Sequence, residues 1–126
     1  EKDMQQLKII QHFIKNKFDK IKIVACKTVR EKNGVAYSSR NILLTTNQKK
    51  IASKIYNLII NKKKKLTKNL LSIKNLKTEI LNLGTTKIDY IKIFDINKIV
   101  KPYKKNKKYK IFIAYYLGKT RLIDNI

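Results

Sequence analysis

Leu7, Ile10 and Ile14 recur at helical spacing near the start of the chain, and Phe13 and Phe18 widen the stripe. That period predicts an amphipathic helix over residues 2–17, because side chains three and four apart share a helix face. Lys2, Asp3 and Gln6 fall together at its N-terminal end, where free backbone N–H groups and the helix dipole favour anions. The spacing then shortens. Ile21, Ile23 and Val24 are β-branched and predict a short strand over 21–25. Residues 27–41 read as a loop in which Gly34 permits a tight turn. Thr45 followed three residues later by Gln48 is a capping box. It opens a second helix with the stripe Ile51, Ile55, Leu58 and Ile59 and a solvated lysine run, 62–65, at its end. Leu66, Leu70, Ile73, Leu76, Ile80 and Leu81 predict a third helical face, with Gly84 just past its C-terminus. Residues 87–95 predict a strand with Asp89, Ile91 and Ile93 on one face and Tyr90, Lys92 and Phe94 on the other. A turn near Pro102 leads to a further strand over 109–117, antiparallel to the first. The class is therefore α/β. A helix and a strand over 1–27, followed by a ligand-carrying loop, read as the end of a nucleotide-binding unit, and a small α+β domain with helices on a short antiparallel sheet fills 28–126.

Composition changes this picture little. Of 126 residues, 43% are hydrophobic and 31% charged, enough for a packed core. The net charge of +23 leaves two readings open. One is a polyanion partner, since clustered cations release counterions from a nucleic-acid backbone. The other is a codon bias, because Lys, Ile and Asn supply 61 residues while Arg supplies 3. Base and phosphate readout leans on Arg, so the bias is favoured over a basic nucleic-acid-binding module. Cys26 is the only cysteine and His12 the only histidine, which excludes a disulfide framework and a Cys/His metal site. A reducing, cytoplasmic location is expected. No apolar run reaches the length of a membrane span. The chain starts at Glu1, with Met4 internal, and is expected to be a piece of a longer protein.

The candidate chemistry sits in Tyr37-Ser38-Ser39-Arg40-Asn41, which follows Thr28-Val29-Arg30-Glu31 and Gly34. Two hydroxyls beside a guanidinium suit a phosphate chain, which serine meets with single hydrogen bonds and arginine with a planar fork. Gly118-Lys119-Thr120 looks like the end of a phosphate-binding P-loop, but Ile113 stands where that pattern needs glycine, and no room remains for its helix.

Four stretches resemble the C-terminal part of the pantothenate synthetase (pantoate–β-alanine ligase) family. Glu1-Lys2-Asp3 with Gln5-Gln6-Leu7 resembles its E-K-D-Y-Q-Q-L segment. Thr28 to Glu31, Gly34 and Ser38 to Asn41 resemble its T-V-R-E…G-L-A-M-S-S-R-N loop. Asp89-Tyr90 resembles a D-Y at the start of a strand, and Gly118 to Asn125 resembles the closing G-x-T-R-L-I-D-N. Lys27, Tyr37 and Met4 stand where the family has Pro, Met and Tyr.

The resemblance implies a Rossmann-like domain ending at residue 27 and a C-terminal lid domain over 28–126. It implies an ATP- and Mg²⁺-dependent ligase that activates pantoate as pantoyl adenylate, which β-alanine then attacks. Glu1, Lys2 and Asp3 are then expected to line the ATP site, with Lys2 near the phosphates. Gln6 is expected to bind pantoate, and Val29 to contact the adenine region. Tyr37, Ser38, Ser39 and Arg40 are expected to close over ATP, as the mobile K-M-S-K-S loop of class I aminoacyl-tRNA synthetases does. The family's ATP-binding histidines belong to a motif upstream of Glu1 that His12 does not match. No catalytic residue or metal ligand is therefore expected here, the piece alone is expected to be inactive, and the full-length protein is expected to be a homodimer.

Overall fold

The chain folds into α1 (Met4–Lys17), a short 3-10 helix (Ser39–Leu43), α2 (Thr46–Thr67), α3 (Ile73–Asn82), β1 (Lys87–Asp95), β2 (Tyr109–Leu117) and β3 (Thr120–Asn125) in the computed structural model. The structure describes residues 1–18, 20–67, 72–95 and 109–126. The turn expected near Pro102 lies outside them, as does Leu70.

The capping box forms as the sequence predicts. Thr45 N–H donates to Gln48 Oε1 at 2.9 Å, and Gln48 N–H donates to Thr45 Oγ1 at 3.2 Å. From there α2 runs through its lysines, and Lys62 forms an ion pair with Glu79 of α3. Because α2 does not stop at the lysine run, Leu66 belongs to its core face, seven residues after Ile59, and not to the third helix. Ser72 caps α3, its side chain accepting from Lys74 N–H. Gly84 follows the helix at a φ of 103°, a region open to glycine. Ile80 is buried and Leu81 is exposed, since neighbours on a helix point about 100° apart.

Both helices pack on an antiparallel sheet of order β1-β2-β3. Ile55 and Ile59 of α2, Leu76 and Ile80 of α3, and Ile111, Ile113 and Leu117 of β2 are fully buried together. Each such side chain contributes about 1.5–3 kcal/mol relative to exposure. β1 departs from simple alternation. Its register shifts between Ile88, opposite Tyr115, and Tyr90, opposite Ala114, so Asp89 is an extra, bulged residue. Ile88, Ile91 and Ile93 consequently all pack on the core, and Asp89 does not share their alternation.

One expectation fails, and one element was not foreseen. Residues 21–25 form no strand. Their β-branched residues suit an extended chain, but a strand needs a neighbour to take its backbone hydrogen bonds, and none pairs with it among the described residues. The closing motif, in turn, contains a strand that the pattern did not announce. Gly118, at a φ of 60°, and Lys119 link Leu117 to its partner Thr120 and start β3. That two-residue link is also why no phosphate loop forms there.

Candidate functional site

The β2–β3 edge ends beside the start of α1. Asn125 is 2% exposed. Its Nδ2 donates to the carbonyls of Glu1 at 2.7 Å and Lys2 at 2.5 Å. Its Oδ1 accepts from Lys110 Nζ at 3.1 Å, and that ammonium also pairs with Glu1 Oε2 at 3.0 Å. Lys110 holds the Glu1 carboxyl below its ordinary value, chiefly through this hydrogen bond and against the opposing effect of burial.

Asp124, next along β3, takes the Arg30 guanidinium in a two-pronged pair, Nη1 to Oδ2 at 2.6 Å and Nη2 to Oδ1 at 3.0 Å. Arg30 also donates to the carbonyls of Gly34 and Asn125 and lies 4.7 Å from the centre of the Tyr56 ring. Gly34 is required there. Its φ is 89°, and a Cβ would stand 2.2 Å from that ring. Around this turn Glu31 N–H donates to Val35, and Tyr37 N–H donates to Val29. Asn41 Nδ2 donates to Glu31 Oε1 at 2.7 Å and to the Ala36 carbonyl at 3.2 Å. The paired loop thus delivers Tyr37 and the 3-10 helix to one place, with Ser38 accepting from Arg40 N–H as its cap.

Lys2 joins the two ends. Its Nζ donates to the Tyr37 carbonyl at 2.9 Å. Burial lowers its pKa most; Asp124 and Asp3 oppose that shift, and Arg40 and Arg30 add to it. Lys2, Asp3 and Gln6 also share a groove with Tyr90, Phe112, Ile123 and Asp124. The structure therefore brings Lys2, Tyr37, Ser38, Ser39 and Arg40 to one face, with Asp3 and Gln6 alongside. Val29 is 68% exposed and gives the cluster only its carbonyl, while the Glu1 carboxylate is turned to Lys110. Of the three arginines, Arg30 and Arg121 are paired with Asp124 and Asp89. Arg40 is exposed with no partner among the described residues. A cation without a carboxylate, a second, half-buried cation and two hydroxyls are the donors an anion takes.

The whole chain, residues 1–126, matches the model of the family described as pantoate-beta-alanine ligase. The chain belongs to that family. Pantothenate synthetase of Azobacteroides pseudotrichonymphae is 40% identical over the full chain, and that of Campylobacter hominis 39%. The chain spans 46% of the length of each of these relatives. Among solved structures, the pantoate-beta-alanine ligase of Francisella tularensis, complexed with Beta-gamma ATP and Beta-alanine, matches 99% of the chain and is 34% identical. The chain covers 40% of that structure, with a TM-score of 0.74. A Thermus thermophilus pantothenate synthetase matches with a TM-score of 0.82 and 25% identity, the chain covering 46% of it.

In this chain, some motif residues are braces rather than free donors. Sequence reasoning picked out the exposed cluster but passed over Arg30, Asp124, Asn125 and Lys110, which hold it. One signal was available. With eight acidic residues against 31 basic ones, an Asp or Glu inside a motif has many partners to choose from, and Asp124 and Glu31 are such residues.

Proposed function

We propose that these 126 residues are the C-terminal part of an ATP-dependent ligase that joins pantoate to β-alanine. The pantoate carboxylate attacks the α-phosphorus of ATP and expels pyrophosphate. The β-alanine amine then attacks the acyl carbon of pantoyl adenylate and expels AMP. Residues 1–27 are the end of its Rossmann-like ATP- and pantoate-binding domain, and 28–126 are the lid. The absence of any α1 residue from the described core cluster supports that boundary.

The observation that carries the reading is the convergence of Lys2 with Tyr37, with the Ser38-capped turn that carries Ser39, and with Arg40, which has no side-chain partner among the described residues. Negative charge grows on the departing pyrophosphate, and cations fixed in advance around it lower the barrier. A loop closing over the nucleotide also keeps water from the acyl adenylate. Gln6 is assigned to pantoate, Glu1, Asp3 and Val29 to the ATP side, and Tyr37 to the lid. Mg²⁺ is expected to arrive with the nucleotide. The described residues hold no group of three His, Cys, Asp or Glu side chains that could hold a metal ion by themselves, and Mg²⁺ takes most of its ligands from phosphates and water. The complete enzyme is a soluble homodimer, as the family resemblance implies. Among the described residues no helix is long and apolar enough to cross a membrane. Nothing in the relatives favours a nucleic-acid module.

The test is pyrophosphate release by the full-length protein with ATP and pantoate. Ser39→Ala and Arg40→Ala should each slow it on the order of 10²-fold, the usual loss for one charge-stabilising donor. Wild-type rates in both variants would remove these residues from the site.

A further inference from the structure

Asp124 and Asn125 offer no donor to the exposed face of the cluster, yet they hold both of its sides, the Lys2 segment and the Arg30 loop. Asn125 holds the backbone at Glu1 and Lys2. The Lys2 side chain reaches the Tyr37 carbonyl. Tyr37 is paired to Val29, next to Arg30, and Arg30 returns to Asp124 and to the Asn125 carbonyl. The contacts close into a circuit whose two ends are adjacent residues of one edge strand.

The chemistry of the Asn125 amide fixes its orientation. Its Nδ2 faces two carbonyl oxygens and its Oδ1 faces an ammonium. Turned over, it would set oxygen against oxygen and nitrogen against nitrogen, so one arrangement alone satisfies all three partners. Asp124 is fixed equally well, with Oδ1 accepting from the Asn125 N–H at 2.8 Å as well as from Arg30.

We infer that Asp124 and Asn125 form a clamp that sets the position of Lys2 relative to the Ser38–Arg40 loop, making them positioning residues for adenylate formation. The inference rests on the ligase reading above. It follows from geometry: a phosphate-binding lysine and a lid are useful only in register with each other, and a displacement of about 1 Å can cost on the order of 10²-fold in rate. A side chain that held the sheet alone would bond within the sheet. Asn125 instead spends both Nδ2 hydrogens on the segment carrying Lys2.

The experiment compares Asn125→Ala, Asn125→Asp and Arg121→Ala in the full-length protein. Asn125→Asp keeps the size and the acceptor for Lys110 but removes both donors. Pyrophosphate release should lose on the order of 10²-fold in kcat/KM for ATP in both Asn125 variants. The second half-reaction, started from preformed pantoyl adenylate and β-alanine, should stay at the wild-type rate. Arg121→Ala, which breaks the exposed pair with Asp89 at the other end of the same strand, should leave both steps unchanged. Equal losses in both half-reactions would make the residue merely structural and overturn the clamp. So would a wild-type ATP step in Asn125→Asp.

Hydrogen exchange separates the clamp from the ligase reading. The amides of Glu31, Gly34 and Tyr37 are bonded within the loop and should exchange about tenfold faster or more in both Asn125 variants. Should the wild-type protein release no pyrophosphate with pantoate, the ligase reading falls. Unchanged exchange at these three amides would overturn the clamp in either case.

Discussion

α1 and α2 both carry an apolar stripe at helical spacing, and the chain treats them oppositely. On α2, Ile55 and Ile59 are covered by α3 and the sheet and lose all contact with water. On α1 only Met4 is buried. Ile9, Ile10 and Phe13 stay exposed, and Ile21 and Val24 carry the exposed apolar surface beyond the helix. A helical period says that one face is apolar; it does not say what covers it. The α2 stripe finds its cover within the chain. The α1 stripe does not find one among the described residues, and the domain boundary proposed after residue 27 accounts for that. The anion-ready cluster lies at the seam between the two regions.

The contrast can be broken most sharply by mutation in the core. Ile59→Ala should cost the 126-residue chain about 2–5 kcal/mol, measured by urea unfolding. Ile9→Ala, on the uncovered face, should change it by less than about 0.5 kcal/mol. A large loss at Ile9 would mean that α1 is covered after all. Next comes Gly34→Ala, which forces a left-handed φ on a residue with a side chain and drives its Cβ against Tyr56. A loss of about 1–3 kcal/mol is expected from the backbone strain alone.

At the seam itself the effect moves from stability to activity. Arg40→Ala should leave the urea midpoint where it is, because the Arg40 side chain has no partner to lose among the described residues, while the adenylation rate falls. The pH dependence sharpens this further. Burial lowers the Lys2 pKa below the ordinary 10.5, and only the protonated form serves a phosphate. The alkaline limb of kcat/KM for ATP should therefore fall below pH 10.5 and move upward in Lys2→Arg, whose guanidinium stays charged. The smallest effect is at the acid end. The folded-state pKa of Glu1 lies below 4.5 because of Lys110. The stability from this pair is therefore present above 4.5 and lost as the pH falls through the depressed value. Glu1→Gln should flatten that part of a stability titration.

Much of this was legible in the sequence, and the reasons differ by element. The α2 capping box, Gly84 and the strands at 87–95 and 109–117 follow from local chemistry that tertiary contacts reinforce. The strand expected at 21–25 did not form because pairing is a property of two segments, and none of the described residues pairs with this one. β3 was hidden because Arg121 and Asp124 interrupt its apolar alternation, and it is pairing with β2 that makes it a strand. The bulge at Asp89 is likewise set by register, not by composition. The serines and Arg40 could be picked out as donors because exposed polar clusters are visible in a string of letters. Their support could not, because Arg30 meets Asp124 across 94 positions of sequence.

The most direct measurement runs the 126-residue chain and the full-length protein side by side for pyrophosphate release from ATP, each with and without pantoate. The full-length protein should release it only when pantoate is present, and the 126-residue chain should release none under either condition. Pantoate-dependent release by the 126-residue chain alone would contradict the reading of this face as half of a site. Pantoate-independent release by the full-length protein would contradict the ligase itself.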